Sequence, residues 1–224
     1  DLHRNFDQKL TEDTLHRWHR MVTAGRTDLH DIGRYRTQGG PMQVVSGAIH
    51  KPKVHFEAPA SDELADEMQR FIAWFATTAP TGDKPLPPLT RAGLAHLYFV
   101  SIHPYEDGNG RIARALAEKA LAQAIGQPTL LALSHTIQRG RKAYYDALEA
   151  NNKTMEVTGW LTYFAEAVLA AQSHSQSMID FLIEKTKLFD RLRGKLNERQ
   201  DRVLTRMFRE GPAGFKGGLS AANY

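Results

Sequence analysis

The chain has 224 residues, 42% of them hydrophobic and 24% charged, with a net charge of +4, which bounds it to one large globular domain, or one domain plus an appendage, with a proper core. It contains no cysteine, which excludes disulfides and thiolate metal sites and fits a cytoplasmic protein. No apolar run approaches the roughly 20 residues of a membrane helix and no signal peptide opens the chain, so no membrane partner is expected. The first residue is Asp1 rather than Met, and both ends read as cuts through a longer protein.

In chain order the pattern is helical with one interruption. Thr11 is placed to cap a helix running to about Ala24, with Leu10 and Leu15 as a hydrophobic staple and Leu15, Trp18 and Val22 facing inward. From Gly33 to Pro59 glycines and prolines break short apolar runs, which predicts a hairpin with strands over 42–45 and 53–56. Ser61 opens an amphipathic helix carrying Leu64, Met68, Phe71, Ile72 and Phe75 on one face. After a loop over 80–88, Thr90 is expected to cap the next helix, whose inner face is Leu94, Leu97, Tyr98, Ser101 and Ile102. Pro104 disfavours helical backbone at His103 and ends it. Helix resumes around Gly110 and stops at Gly126 and Pro128, and further helices are predicted at about 136–150, 155–171, 173–194 and 198–209. The fold class is therefore all-α, a helical bundle with one β-hairpin. Charge is uneven: Glu184 to Arg209 holds nine Lys or Arg against four Asp or Glu. Such a stretch is either a solvated helix face or the footprint of an acidic or nucleic-acid partner.

The chemistry concentrates in His103-Pro104-Tyr105-Glu106-Asp107-Gly108-Asn109-Gly110-Arg111-Ile112-Ala113-Arg114. Gly108-Asn109-Gly110 lets backbone N–H groups point into one space at a helix start, which suits an anion. Arg111 and Arg114, three apart, reach one side of the first turn and suggest a polyphosphate. Asp107 is a hard oxygen ligand suited to Mg2+ that already bridges phosphates. His103 can take a proton near neutral pH. Base, metal ligand, anion cradle and paired arginines together describe phosphoryl or nucleotidyl transfer.

This string resembles the signature of the Fic family, H-P-F-x-D/E-G-N-G-R-x-x-R, with Tyr105 where Phe is usual. A Tyr should serve there if its hydroxyl finds a partner. The segment 33–59, including Tyr35-Arg36 and Val44-Val45-Ser46-Gly47, resembles the family's flap, which aligns a target segment by strand addition. The resemblance covers roughly residues 1 to 170. It implies a protein adenylyltransferase that moves AMP from ATP to a Ser, Thr or Tyr hydroxyl of a target protein, with Mg2+ or Mn2+. Carried onto these residues, it makes His103 the base and Asp107 the metal ligand. The backbone of Gly108, Asn109 and Gly110 would hold the β-phosphate, with Arg111 at the β/γ end and Arg114 on the γ-phosphate. Tyr144, Tyr145 and Asn152 resemble the adenosine-side residues, although Tyr144 and Leu148 share a helical face and could equally be core. Val44, Val45, Val54, His55 and Phe56 would form the target-binding flap.

The implied organisation is a catalytic core over 1–171, with the flap at 33–59 and the motif loop at 103–114. A helical linker over 172–197 and the start of a winged-helix-like domain over 198–224 follow. The resemblance admits a homodimer and a DNA contact through that last region. The family's inhibitory string, S/T-x-x-x-E-G/N, is absent from these residues, and in relatives with this flap it lies upstream of where this chain starts. The alternatives are removal of AMP, another Fic-type transfer, or a DNA-binding regulator with a vestigial core. An intact Gly108-Asn109-Gly110 and an intact His103 disfavour the phosphorylating and vestigial readings.

Overall fold

A computed structural model describes residues 1–40, 42–48, 51–151, 156–212 and 214, with the backbone alone for 44–48, 51–53 and 55. Contacts divide the chain into two compact units, Asp1–Val168 and Leu169–Tyr224. The first unit opens with a 3-10 turn at Leu2–Arg4 and continues through α1 (Glu12–Val22), β1 (Gln43–Ala48), β2 (Lys51–Glu57), α2 (Leu64–Thr77), α3 (Pro88–Ile102), α4 (Asn109–Ile125), α5 (Leu133–Arg139) and α6 (Arg141–Asn151). A 35-residue helix, α7 (Thr158–Leu192), begins in this unit and runs into the second. The all-α class with one hairpin holds.

Helix α1 starts where its cap predicts: the Thr11 hydroxyl accepts the Thr14 N–H at 3.2 Å, and Leu10, Leu15 and Trp18 are buried. The next helix start differs from expectation. Helix α3 begins at Pro88, behind Pro87, and Thr90 lies inside its first turn. Proline at the first helical position has its φ preset and lacks an N–H that would go unbonded anyway, so no hydroxyl cap is needed. The inner face of α3 also differs from the expected one: Leu97 and Ile102 are buried, whereas Leu94, Tyr98 and Ser101 are only half-buried. Arg91, Ala92, Gly93, Ala95, His96, Leu97, Phe99 and Ile102 are all buried, because α3 is the central helix and packs most heavily against α4.

Two buried cations tie this centre together. Arg91 donates to the Phe75 carbonyl at 2.8 Å and to Gln123 at 2.9 Å, with its guanidinium over the Phe75 ring. Burial lowers its pKa to about 10. Lys119 donates to the carbonyls of Asn5 and Phe6 at 2.8 and 2.9 Å, which docks the N-terminal turn on α4.

The helix expected over 136–150 is two, α5 and α6, parted at Gly140, where the missing Cβ weakens helix continuity. The two expected at 155–171 and 173–194 are one, α7, since no Gly or Pro falls between Ala170 and Ser173 to interrupt it. The hairpin is longer than predicted, with Val44 opposite Phe56 and Val45 opposite Val54, so that His55 is the extra residue of a bulge. The second unit holds the rest of α7 and α8 (Glu198–Arg209), whose Asn197 and Gln200 form a capping box. Phe208 of α8 meets Phe181 and Phe189. Of the winged-helix-like start expected over 198–224, residues 213 and 215–224 lie outside the described residues. No helix among those described is long and apolar enough to cross a membrane.

Close approach of α7 to α3 requires glycine. A Cβ on Gly93 would lie 2.9 Å from Leu161 and 3.1 Å from Phe164, and the Gly93 carbonyl accepts the Trp160 indole N–H at 2.7 Å. Gly93→Val should therefore cost about 1–3 kcal/mol through overpacking, read as a lowered urea midpoint. Wild-type stability in this variant would mean that the α3–α7 contact is looser than described.

Candidate active site

The site is a loop held between the end of α3 and the start of α4. His103 ends α3 in the left-handed region, at φ 50° and ψ 55°, and it is the one described non-glycine residue with positive φ. Such a conformation costs an L-residue roughly 1–2 kcal/mol, so its surroundings must hold it. They do so through Arg36, a buried side chain whose Nε donates to the His103 carbonyl at 3.0 Å and whose terminal nitrogen donates to Pro59. The Arg36 N–H adds a bond to the Pro104 carbonyl at 2.9 Å.

The His103 ring is oriented by its own helix. Nδ1 lies 3.3 Å from the Val100 carbonyl, which can only accept, so the neutral ring carries its proton on Nδ1 and leaves the Nε2 lone pair open. Burial lowers the His103 pKa, opposed by that carbonyl bond and reinforced by Arg36. The ring is therefore neutral at physiological pH.

Tyr105 turns inward and is fully buried. Its hydroxyl meets His16 Nδ1 at 3.0 Å, and its ring stacks on His19 with centroids 4.1 Å apart and planes 6° from parallel. The partner that the Phe-to-Tyr departure calls for is thus supplied by α1. His19 is itself doubly used, with Nδ1 accepting the Gly33 N–H at 2.9 Å and Nε2 3.2 Å from the Asp107 carbonyl. Below the ring, the Asn109 carboxamide accepts the Tyr105 N–H at 3.0 Å and donates to its carbonyl at 2.7 Å.

Gly108 caps α4 at φ 85°, and a Cβ there would sit 3.0 Å from Val22. The Asp107 carboxylate accepts the Gly108 N–H at 2.6 Å on one oxygen. Its other oxygen accepts Arg26 at 2.6 Å and Arg111 at 2.9 Å. Burial alone would raise the Asp107 pKa, but the Gly108 N–H and the two guanidiniums outweigh it and hold the group below the usual carboxylate range. Arg111 also donates to the Val22 carbonyl at the end of α1, and Arg114 donates from Nε to Ser134 at 2.9 Å. Glu106 accepts the His30 and Asp31 N–H groups at 2.7 and 3.0 Å, so it braces the preceding loop.

The remaining expected residues separate. Tyr144 is buried, its hydroxyl 2.9 Å from His96 Nε2 and about 4.0 Å from where a Cβ on Gly110 would lie. It forms a wall behind the start of α4. Tyr145 is half exposed, with Arg141 over its ring. Asn152 lies outside the described residues. On the hairpin Val54 is exposed and Phe56 half-buried. The side chains of Val44, Val45 and His55 are outside the description, while their backbone pairing is within it. His16, His19, Arg26 and Arg36 were not singled out from sequence as site residues. Only the spacing of His16 and His19, on the face of α1 that also carries Leu15 and Trp18, hints at their direction.

Comparison with known proteins places this geometry. The Fic/DOC family model matches residues 9–121. Among curated proteins, the protein adenylyltransferase Fic of Nematostella vectensis is 31% identical over 145 residues, covering 65% of this chain and 29% of that protein. The protein adenylyltransferase Fic of Drosophila mojavensis is 35% identical over 135 residues, covering 60% and 23% respectively. The chain thus spans less than a third of the length of these relatives. Among solved structures, a Fic family protein from Desulfovibrio desulfuricans aligns with TM-score 0.62 at 21% identity, over 93% of this chain and 62% of that one. A Fic-domain-containing signaling protein from Bacteroides thetaiotaomicron gives 0.60 at 20%, over 78% and 66%. At those identities the structures speak for the fold.

Tyr105→Phe removes one hydroxyl and keeps the ring stack. It should cost about 0.5–1.5 kcal/mol of stability, the net worth of one hydrogen bond. Denaturant melts check this, and an unchanged midpoint would show that the His16 bond contributes nothing net.

Proposed function

The chain belongs to the Fic/DOC family, and on that premise we propose that it is a protein adenylyltransferase, transferring AMP from ATP to a hydroxyl side chain of a target protein. The observation that carries the reading is the pairing of an oriented neutral His103 with an anion-binding loop. A base whose Nε2 lone pair is open sits one short turn from Gly108 and Asn109 at a helix start, flanked by Arg111 and Arg114. In this reading His103 Nε2 takes the proton of the incoming hydroxyl. The hydroxyl oxygen bonds to the α-phosphorus as the bond to the bridging oxygen breaks, and pyrophosphate leaves. Arg111 and Arg114 and the helix start bear the negative charge of the leaving group. Asp107, ionised and the one carboxylate here that faces the cradle, would hold Mg2+ or Mn2+. The donor set fits a hard cation that arrives with the nucleotide, because such ions use one or two carboxylates plus phosphates. Bound there, the ion would offset phosphate charge.

The hairpin is the element that would present the target. A two-stranded sheet leaves unpaired N–H and C=O groups along an outer edge, and a target strand could join at Val44–Val45 or at Val54–Phe56. We also propose Tyr145 as the exposed aromatic face on the nucleoside side, with Tyr144 as the wall behind it. A cytoplasmic site of action fits, since ATP and Mg2+ are abundant there. Neither a homodimer nor a DNA contact is needed for this chemistry.

His103→Ala should lower label transfer from α-labelled ATP by about 10²–10⁴-fold with nucleotide affinity unchanged by calorimetry, and undiminished transfer would remove His103 from the mechanism. The pH dependence follows from the sign of its shift. A base works deprotonated, and burial holds the His103 pKa below 6.5. The acid limb of kcat/KM should therefore fall below pH 6.5, and a limb above that value would assign the base elsewhere.

A further inference from the structure

Arg26 lies outside the motif, in the loop after α1, yet its guanidinium reaches the motif's Asp107. Nε and one terminal nitrogen form a fork on Asp28, at 2.7 and 2.6 Å. The other terminal nitrogen donates to Asp107 Oδ2 at 2.6 Å, the same oxygen that accepts Arg111 at 2.9 Å. Two guanidiniums from distant parts of the sequence thus converge on one carboxylate oxygen. That carboxylate stands where the donors of an anion site meet.

We propose that Arg26 is a third polyphosphate-binding guanidinium, resting on Asp107 until a nucleotide arrives. The inference rests on the nucleotidyl-transfer reading above and names a residue that reading does not use. Three features carry it. The Asp28 fork sets the head group in advance, so little side-chain entropy remains to be lost on binding. The Arg26 side chain is 41% exposed and Asp107 40%, so the pair lies at the open rim, where a ligand can reach it. Asp107 is the carboxylate that would hold a cation, and both Arg26 and Arg111 donate to its Oδ2, so engaging that carboxylate elsewhere would free both N–H groups for a phosphate. Arg26, still forked on Asp28, would then offer its remaining terminal N–H to the ligand beside Arg111.

Two other roles are open to the same side chain, and they predict different results. As a brake it would only compete with the cation for Asp107. As a staple it would only hold the 23–33 loop through Asp28. The test measures ATP, ADP and adenosine affinity by calorimetry, with Mg2+ and with EDTA, for wild type, Arg26→Gln, Arg26→Lys and Asp28→Asn. Arg26→Gln should weaken ATP and ADP by roughly tenfold, the lower end for a hydrogen bond to a charged group, and leave adenosine unchanged. Arg26→Lys should recover most of that loss, since a point charge still serves phosphate. Asp28→Asn, which removes the fork but keeps the cation, should stay within about threefold of wild type. Equal or tighter ATP binding by Arg26→Gln would overturn the proposal in favour of the brake. A loss in Asp28→Asn as large as in Arg26→Gln would overturn it in favour of the staple. If wild type binds no ATP, the functional reading falls with it, whereas normal wild-type binding and normal Arg26→Gln binding sink this inference alone.

Discussion

The Asn109 carboxamide closes the loop on which the chemistry depends. It bonds both backbone groups of Tyr105, four residues earlier, and is itself buried. Left open, that N–H and C=O would be buried and unpaired, a cost of about 1–3 kcal/mol for each group. Their closure fixes the distance between the end of α3 and the start of α4. From it follow the inward turn of Tyr105, the left-handed His103 one step before Pro104, and the placing of Gly108 at the helix start, where its N–H donates to Asp107. Asn109 is thus a framework residue by its side chain, whatever its backbone binds.

The charges of the site and of the core obey different rules. Arg91 and Lys119 are buried, donate to carbonyls, and have their pKa values lowered by desolvation. Removing their partners would strand a charge, so they serve the fold. The ion pairs of Asp107 with Arg26 and Arg111 are about 40% exposed. Pairs so exposed contribute little, because solvent screens them and holding two long side chains costs entropy. A polyphosphate with its cation offers charge-assisted bonds of greater worth. The same arginines that neutralise Asp107 can therefore exchange partners at little cost, which suits a site that must bind and release.

Much of this was legible in the sequence because it is local. The Thr11 cap, the break at His103-Pro104 and the Gly108-Asn109-Gly110 turn depend on residues a few positions apart, and each appears where its chemistry places it. The helix starting at Pro88 was legible too, but the hydroxyl of Thr90 drew the reading away from the prolines. What the sequence hid is long-range. Arg26 meets Asp107 across 81 positions and His16 meets Tyr105 across 89. No periodicity marks an arginine in a loop as facing a carboxylate so far along the chain. The breadth of the α3 interior was hidden for a related reason. A helix buried on most sides has a weak amphipathic signal, which marks neither Arg91 nor His96 as interior.

The motif loop and the hairpin are joined at the hairpin's base, and this is where the geometry of a transfer to protein would be set. His19 links the Asp107 carbonyl to the Gly33 N–H, Glu106 holds His30 and Asp31, and Arg36 bonds His103, Pro104 and Pro59. Both strands therefore leave from segments bonded to the loop that carries His103. Beyond Met42 and Ala58, which pair through their backbones at 2.8 Å, the two strands pair with each other. A target strand added near that base would inherit its position from His103 itself, through a path of a few hydrogen bonds. Added nearer the tip, it would depend on the ladder alone, and the bulge at His55 shifts the register between the two. On the reading proposed above, alignment of a hydroxyl with His103 Nε2 would favour the end of the ladder at the Val44–Phe56 pair, next to the Met42–Ala58 bond, over the tip.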